Sequence, residues 1–173
     1  LSGYVTGFRR DAREAGFAVP EAQLKRSMDG LLEQFQRAPA QQTTPAKAPR
    51  RDDKGRIADW RDAETLRLAH QRFAEAAHAG YILAREKQAP LATLRTLHDQ
   101  YRSHALSPLP LVHLGLALKL MGDEARAKVA LDDAMLRGYG YQPDDPGNYW
   151  SQWLGDYGSK VRDRALAYAL LLR

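Results

Sequence analysis

The chain has 173 residues, with 26 Lys+Arg against 21 Asp+Glu for a net charge of +5, and 44% hydrophobic residues. That balance is the one expected of a single globular domain. It has no Cys, which excludes a disulfide framework, a Cys-ligated zinc site and a thiol nucleophile. No apolar run approaches the roughly 20 residues of a membrane-spanning helix.

Leu1 to Gly16 predicts a first helix with Tyr4, Val5, Phe8, Ala12 and Ala15 on an apolar face and Arg9, Arg10, Asp11, Arg13 and Glu14 opposite, stopped by Gly16. Pro20 opens a second, whose stripe is Leu24, Met28, Leu31, Leu32 and Phe35 and which Pro39 is expected to close. These two helices are expected to run antiparallel. From about 39 to 59 the apolar period vanishes: three prolines, then Arg50-Arg51-Asp52-Asp53-Lys54-Gly55-Arg56, read as a long mobile surface loop.

Helix resumes near Asp62 and is expected to reach Ala89, with Leu66, Ala69, Phe73, Ala76, Ala77, Gly80, Tyr81 and Ala84 on a broad face of mostly small residues. Such a face suits a central helix with close neighbours. Pro90 starts the next, burying Leu91, Leu94, Leu97 and Tyr101. Pro108 opens one carrying Leu111, Leu114, Leu118 and Met121 up to Gly122. Asp123 caps its partner, with Ala127, Ala130, Leu131, Ala134 and Met135, which ends at Gly138.

The stretch at about 138–158 gathers Tyr139, Tyr141, Tyr149, Trp150, Trp153 and Tyr157 among glycines and prolines. It reads as a loop sealing the helical array, with Trp150 and Trp153 as core plugs. A peptide- or glycan-gripping surface is the rival use. A last helix turns Val161, Ala165, Leu166, Ala169 and Leu170 inward, and Leu170 to Arg173 is still apolar, as at a cut end. No run of alternating β-branched residues occurs, so the fold class is all-α, built of paired antiparallel helices.

Catalytic and metal chemistry find no support in the pattern. His70 and His78 stand eight residues apart, His98 and His104 six apart, and neither pair has a third ligand in view. No Gly-x-Ser-x-Gly elbow or phosphate-cradling glycine loop occurs. No catalytic, cofactor-binding or metal-binding residue is assigned, and an enzyme is not expected. Lys47, Arg50, Arg51, Lys54, Arg56 and Arg61 sit among Asp52, Asp53 and Asp59, too weak a surplus to expect nucleic acid as a partner.

Two resemblances emerge. Leu114-Gly115, Leu118, Ala127, Leu131 and Ala134 resemble one tetratricopeptide repeat, which would imply a protein-interaction module; the pattern does not recur 34 residues upstream. Tyr81 to Arg95, Leu109 to Asp123 and Trp153-Leu-Gly-Asp-Tyr-Gly-Ser-Lys-Val-Arg-Asp-Arg-Ala165 are together similar to the later part of the thioester domain of bacterial alpha-2-macroglobulin-like proteins. Gly16 to Pro20 and the helix that follows fit as well, so the likeness spans most of the chain. It implies a partial α/α toroid spanning residues 1–173, cut from a large periplasmic protein, often a lipoprotein of the inner membrane. The family's members trap proteases whose cleavage of a bait region triggers rearrangement, and many capture the attacker through a Cys–Gln thioester. The implied partners are the rest of the parent chain, target proteases and, in some members, a penicillin-binding protein. No Cys is present, so no reactive residue is carried onto this chain.

Overall fold

The computed structural model describes residues 2–42, 53, 60–139 and 160–172. Among the described residues seven α-helices follow one another: α1 (Ser2–Glu14), α2 (Glu21–Gln41), α3 (Trp60–Arg85), α4 (Leu91–Tyr101), α5 (Pro108–Leu120), α6 (Glu124–Tyr139) and α7 (Lys160–Leu171). A 3-10 turn, Arg102–His104, joins α4 to the approach of α5, and no described residue lies in a strand. The all-α architecture of paired helices expected from the period therefore holds.

Three helices end in the same way. Gly16 (φ 86°) and Gly122 (φ 87°) adopt the left-handed conformation, and in each case the following amide reaches back five residues, Phe17 to Ala12 O at 2.9 Å and Asp123 to Leu118 O at 2.9 Å. This closes the orphan carbonyls of the last turn. Lys87 (φ 58°) does the same after α3 without being glycine, and its ammonium donates to the carbonyl of Leu120 at the end of α5. The third helix thus ends at Arg85, four residues before the expected Ala89.

The core runs through α2, α3, α4 and α5. Phe35, Phe73, Leu83, Leu94, Leu97, Leu111, Leu114 and Leu118 are wholly buried. α5 and α6, linked by Met121, Gly122 and Asp123, make the most extensive contact in the molecule, and α3 against α5 the next. α5 is apolar all round and buries nine of its residues, because α3, α4, α6 and α7 surround it. The small-residue face of α3 works as the sequence predicts: a Cβ on Gly80 would lie 2.9 Å from Leu94 and 3.0 Å from Phe35, so only glycine admits both neighbours.

Three expectations are corrected. α2 does not close at Pro39 but runs on to Gln41. So near the end, a proline removes a single helical N–H, and the carbonyls beyond are met from outside: Gln42 Nε2 donates to Ala38 O at 3.3 Å and Arg72 Nη1 to Gln41 O at 3.1 Å.

The second correction is the face of α1. Its buried residues are Thr6, Gly7 and Arg10, whereas Val5 and Phe8 point outward, Phe8 with 74% of its surface exposed, and Tyr4 is half exposed with its ring against His78. Gly3 and Gly7 let the α1 backbone lie on α3, where a Cβ would come within 3.3 Å of His78 and 3.2 Å of Ile82. The third is α7, which turns Asp163 and Ala167 inward and leaves Ala165, Leu166 and Ala169 exposed, while Leu170, as expected, packs against the core together with Leu171. Both helices thus bury small or polar residues most deeply and keep several apolar side chains outside. Most of the expected loop at 39–59 and of the aromatic stretch at 138–158, including Trp150, Trp153 and Tyr157, lies outside the described residues.

Candidate functional site

Four of the five histidines, His70, His98, His104 and His113, are buried rather than partly exposed as expected, and only His78 is half-buried. His70 Nδ1 accepts the backbone N–H of Leu106 at 3.0 Å. His98 donates from Nδ1 to Asp99 at 2.7 Å and accepts from Arg102 at 3.0 Å, which assigns it the neutral Nδ1–H tautomer. His104 packs at a tilt against Tyr101, with centroids 5.4 Å apart and 56° between the ring planes. His78 does not face His70; it packs against His113 across the α3–α5 contact at 4.9 Å. Burial pushes its pKa down to about 4 and holds that of His113 far below the ordinary range. Among the described residues no group of three or more His, Asp or Glu side chains could hold a metal ion.

Charge is organised in two clusters that fasten helices together. On one side Arg126 grips Asp99 (2.9 Å) and Asp123 (3.2 Å), Arg95 pairs with Asp123 (2.7 Å) and Arg102 with Asp133 (2.8 Å), tying α4 to α6. The Arg126 guanidinium, helped by His98, holds the Asp99 carboxyl down at about 2. Asp123 also accepts the amide of Arg126 at 3.3 Å, so the expected capping role holds. On the other side Arg85 binds Asp11 (2.8 Å) and Glu14 (2.6 Å), and Glu86 binds Arg10 (2.5 Å) and Arg13 (3.1 Å), tying α1 to the end of α3.

Beside this second cluster a cleft of about 510 Å³ opens between α1 and the start of α2, floored by Leu24 and Met28 and edged by Arg10, Arg13, Lys25 and Glu86. No described Ser, Thr or His lines it, and Arg10, Arg13, Lys25, Asp29 and Glu86 are each engaged in an ion pair. The features most suited to function are surfaces: the outward side of α1 with Val5 and Phe8, continued by Phe17, and that of α7 with Leu166, Tyr168 and Leu172. Period alone locates these side chains on a stripe; it does not say which way the stripe faces.

The tetratricopeptide-like hairpin is tight at its crossing. A Cβ on Gly115 would lie 2.7 Å from Leu131 and 3.2 Å from the Ala127 carbonyl, which explains the Leu-Gly, Ala and large-residue spacing as close helix packing.

An all-α chain of paired helices with outward apolar end faces is the class defined so far. No family model matches the sequence. Curated relatives do: the chain is 39% identical over 171 residues to alpha-2-macroglobulin of Xylella fastidiosa (strain Temecula1 / ATCC 700964) and 35% identical over 172 residues to that of Escherichia coli K12. Each match takes in 99% of this chain and 9% of the relative. Trypsin-activated alpha-2-macroglobulin from E. coli superposes with a TM-score of 0.70 at 34% identity, covering 99% of this chain and 10% of that one. The chain is therefore a bacterial alpha-2-macroglobulin-like segment, spanning about a tenth of the length of the curated relatives it matches.

Proposed function

We propose that this segment is a rigid helical scaffold within a longer protease-trapping inhibitor of the periplasm, with no chemistry of its own. The observation that carries the reading is the 39% identity maintained along 99% of the chain with a bacterial alpha-2-macroglobulin. A structural neighbour being the trypsin-activated form of such a protein supports a protease as the target of the whole molecule. The segment then forms part of an α/α toroid, and the partner it touches is the rest of its own polypeptide. The outward faces of α1 and α7 are the natural seats, since contiguous apolar side chains gain by being covered.

In that role the helices would hold a reactive thioester out of water until cleavage of the bait exposes it, because a thioester open to solvent or amines is spent before a target arrives. The wider protein is then a lipoprotein of the inner membrane. The test uses the whole protein. After incubation with trypsin, a trap leaves the protease active on a small chromogenic peptide and inactive on a large protein substrate. Undiminished cleavage of the large substrate would overturn the reading. Methylamine treatment beforehand separates a thioester trap, which it alters, from one that works by enclosure.

A further inference from the structure

α1 is held in an unusual way. Its described buried residues are Thr6, Gly7 and Arg10, so no large apolar side chain anchors it. It also lies along α2, where Arg9 Nη1 donates to Ser27 Oγ at 2.5 Å, and what fastens it to α3 is the four-way ion-pair cluster around Arg85 and Glu86, together with a column of rings. In that column Tyr4 of α1 lies 4.7 Å from His78, His78 lies 4.9 Å from His113, and His113 lies 5.5 Å from Tyr81. Gly3 brings the α1 backbone against the same imidazole. His113 Nδ1 is buried with no hydrogen-bond partner, so nothing in the column stabilises an added proton.

We propose that α1 is a releasable helix, docked by charges and rings, which mild acid detaches from α3 while the bundle around α5 stays folded. The groups facing the histidine pair set the sign. Burial, the largest effect, opposes a charge on His78, while Asp11 of α1 favours it. From α5, His113 opposes it; on the other side of His113 stands Tyr81, whose ring carries the Arg85 guanidinium at 5.8 Å. α7, packed on α5, brings the buried Asp163.

With α1 docked, His78 takes up its proton only at about 4, against an ordinary value of 6.5 once water reaches it. The depressed value means docking is undiminished above pH 6.5, weakens as pH falls through that window, and levels off near pH 4. The docking constant drops by up to about 30-fold at pH 5 and up to about 300-fold in full, the ceiling set by complete exposure of His78, which His113 on α5 reduces.

Hydrogen exchange on the intact protein, corrected for the intrinsic pH dependence, tests this. The expected result is that α1 amides open severalfold more, up to about 30-fold, at pH 5 than at pH 7.5 while α5 amides do not change. His78→Phe, which keeps a ring in the column and never charges, is expected to abolish the change between pH 7.5 and 5. Glu86→Gln is expected to raise α1 exchange at both pH values. Equal α1 protection at the two pH values overturns the proposal, as does joint opening of α1 and α5. So does an unaltered pH response in His78→Phe; should that variant not fold, the comparison of α1 with α5 in the unmodified protein decides.

Discussion

The α5–α6 crossing offers a substitution whose sign the geometry fixes. In Gly115→Ala the new methyl would sit 2.7 Å from Leu131 Cγ, 2.8 Å from its Cδ2 and 3.2 Å from the Ala127 carbonyl oxygen. Carbon atoms settle at about 3.5–4.0 Å, so the overlap with Leu131 is on the order of 1 Å. Leu131 is partly exposed and can swing aside; the carbonyl belongs to a helix backbone and cannot. Overpacking of this kind costs about 1–3 kcal/mol, and replacing a mid-helix glycine by alanine returns up to about 1 kcal/mol. The expected net loss is therefore about 1–2 kcal/mol.

Gly30 is the control. It lies exposed within α2, and a Cβ there meets nothing within 4 Å, so Gly30→Ala is expected to gain about 0.5–1 kcal/mol. For a chain of this size the two variants should melt about 5–10 °C apart on either side of the parent. Adding Leu131→Ala to Gly115→Ala removes the overlapping atoms, and the double-mutant cycle should return a favourable coupling of about 1 kcal/mol or more. A Gly115→Ala chain that melts at or above the parent, or a coupling of zero, would refute the account of this crossing.

Phe35, wholly buried among α2, α3 and α4, should cost about 3–5 kcal/mol on replacement by Ala, measured by urea denaturation. Phe8→Ser should leave that denaturation curve within about 0.5 kcal/mol of the parent, because the ring is 74% exposed. In the whole protein the same change should loosen the segment's attachment, read as faster proteolytic release. Asp99 should titrate in an NMR experiment near pH 2. Its carboxylate is held low by Arg126 and then His98, so its support for the α4–α6 contact is full above pH 3.8 and fades as pH falls towards 2. Asp99→Asn should flatten that part of the acid profile.

The helices themselves were legible because 3.6-residue spacing is a local property, and Gly16, Gly122 and Asp123 acted as the stop and start signals their chemistry suggests. What the period could not supply was direction. The stripes of α2, α3 and α4 face the core because the core lies on that side. Those of α1 and much of α7 face away because glycine in α1, and Ala167 with Asp163 in α7, allow closer approach on the opposite side. Pro39 misled for a related reason: a proline stops a helix when the lost bond is unreplaced, and here Gln42 and Arg72 replace neighbouring ones from outside. The pairing of His78 with His113 joins residues 35 positions apart in sequence, a separation that no short motif encodes. The alpha-2-macroglobulin likeness was carried by blocks of residues and so was visible without any of this geometry.

The burial of α5 on every side has a consequence for how the chain is made. Synthesis proceeds at about 5–20 residues per second, and α5 leaves the ribosome before the α6 and α7 segments that will cover it. For those seconds Leu109, Leu111, Val112, Leu114 and Leu118 have only α3 and α4 to lie against. A nascent chain stalled once α5, but not yet α6, has emerged from the ribosome would present an apolar rod with one flank bare, a natural ligand for a chaperone. Slow codons that hold synthesis at that point would be expected to lower the yield of folded protein more than the same codons placed in α2.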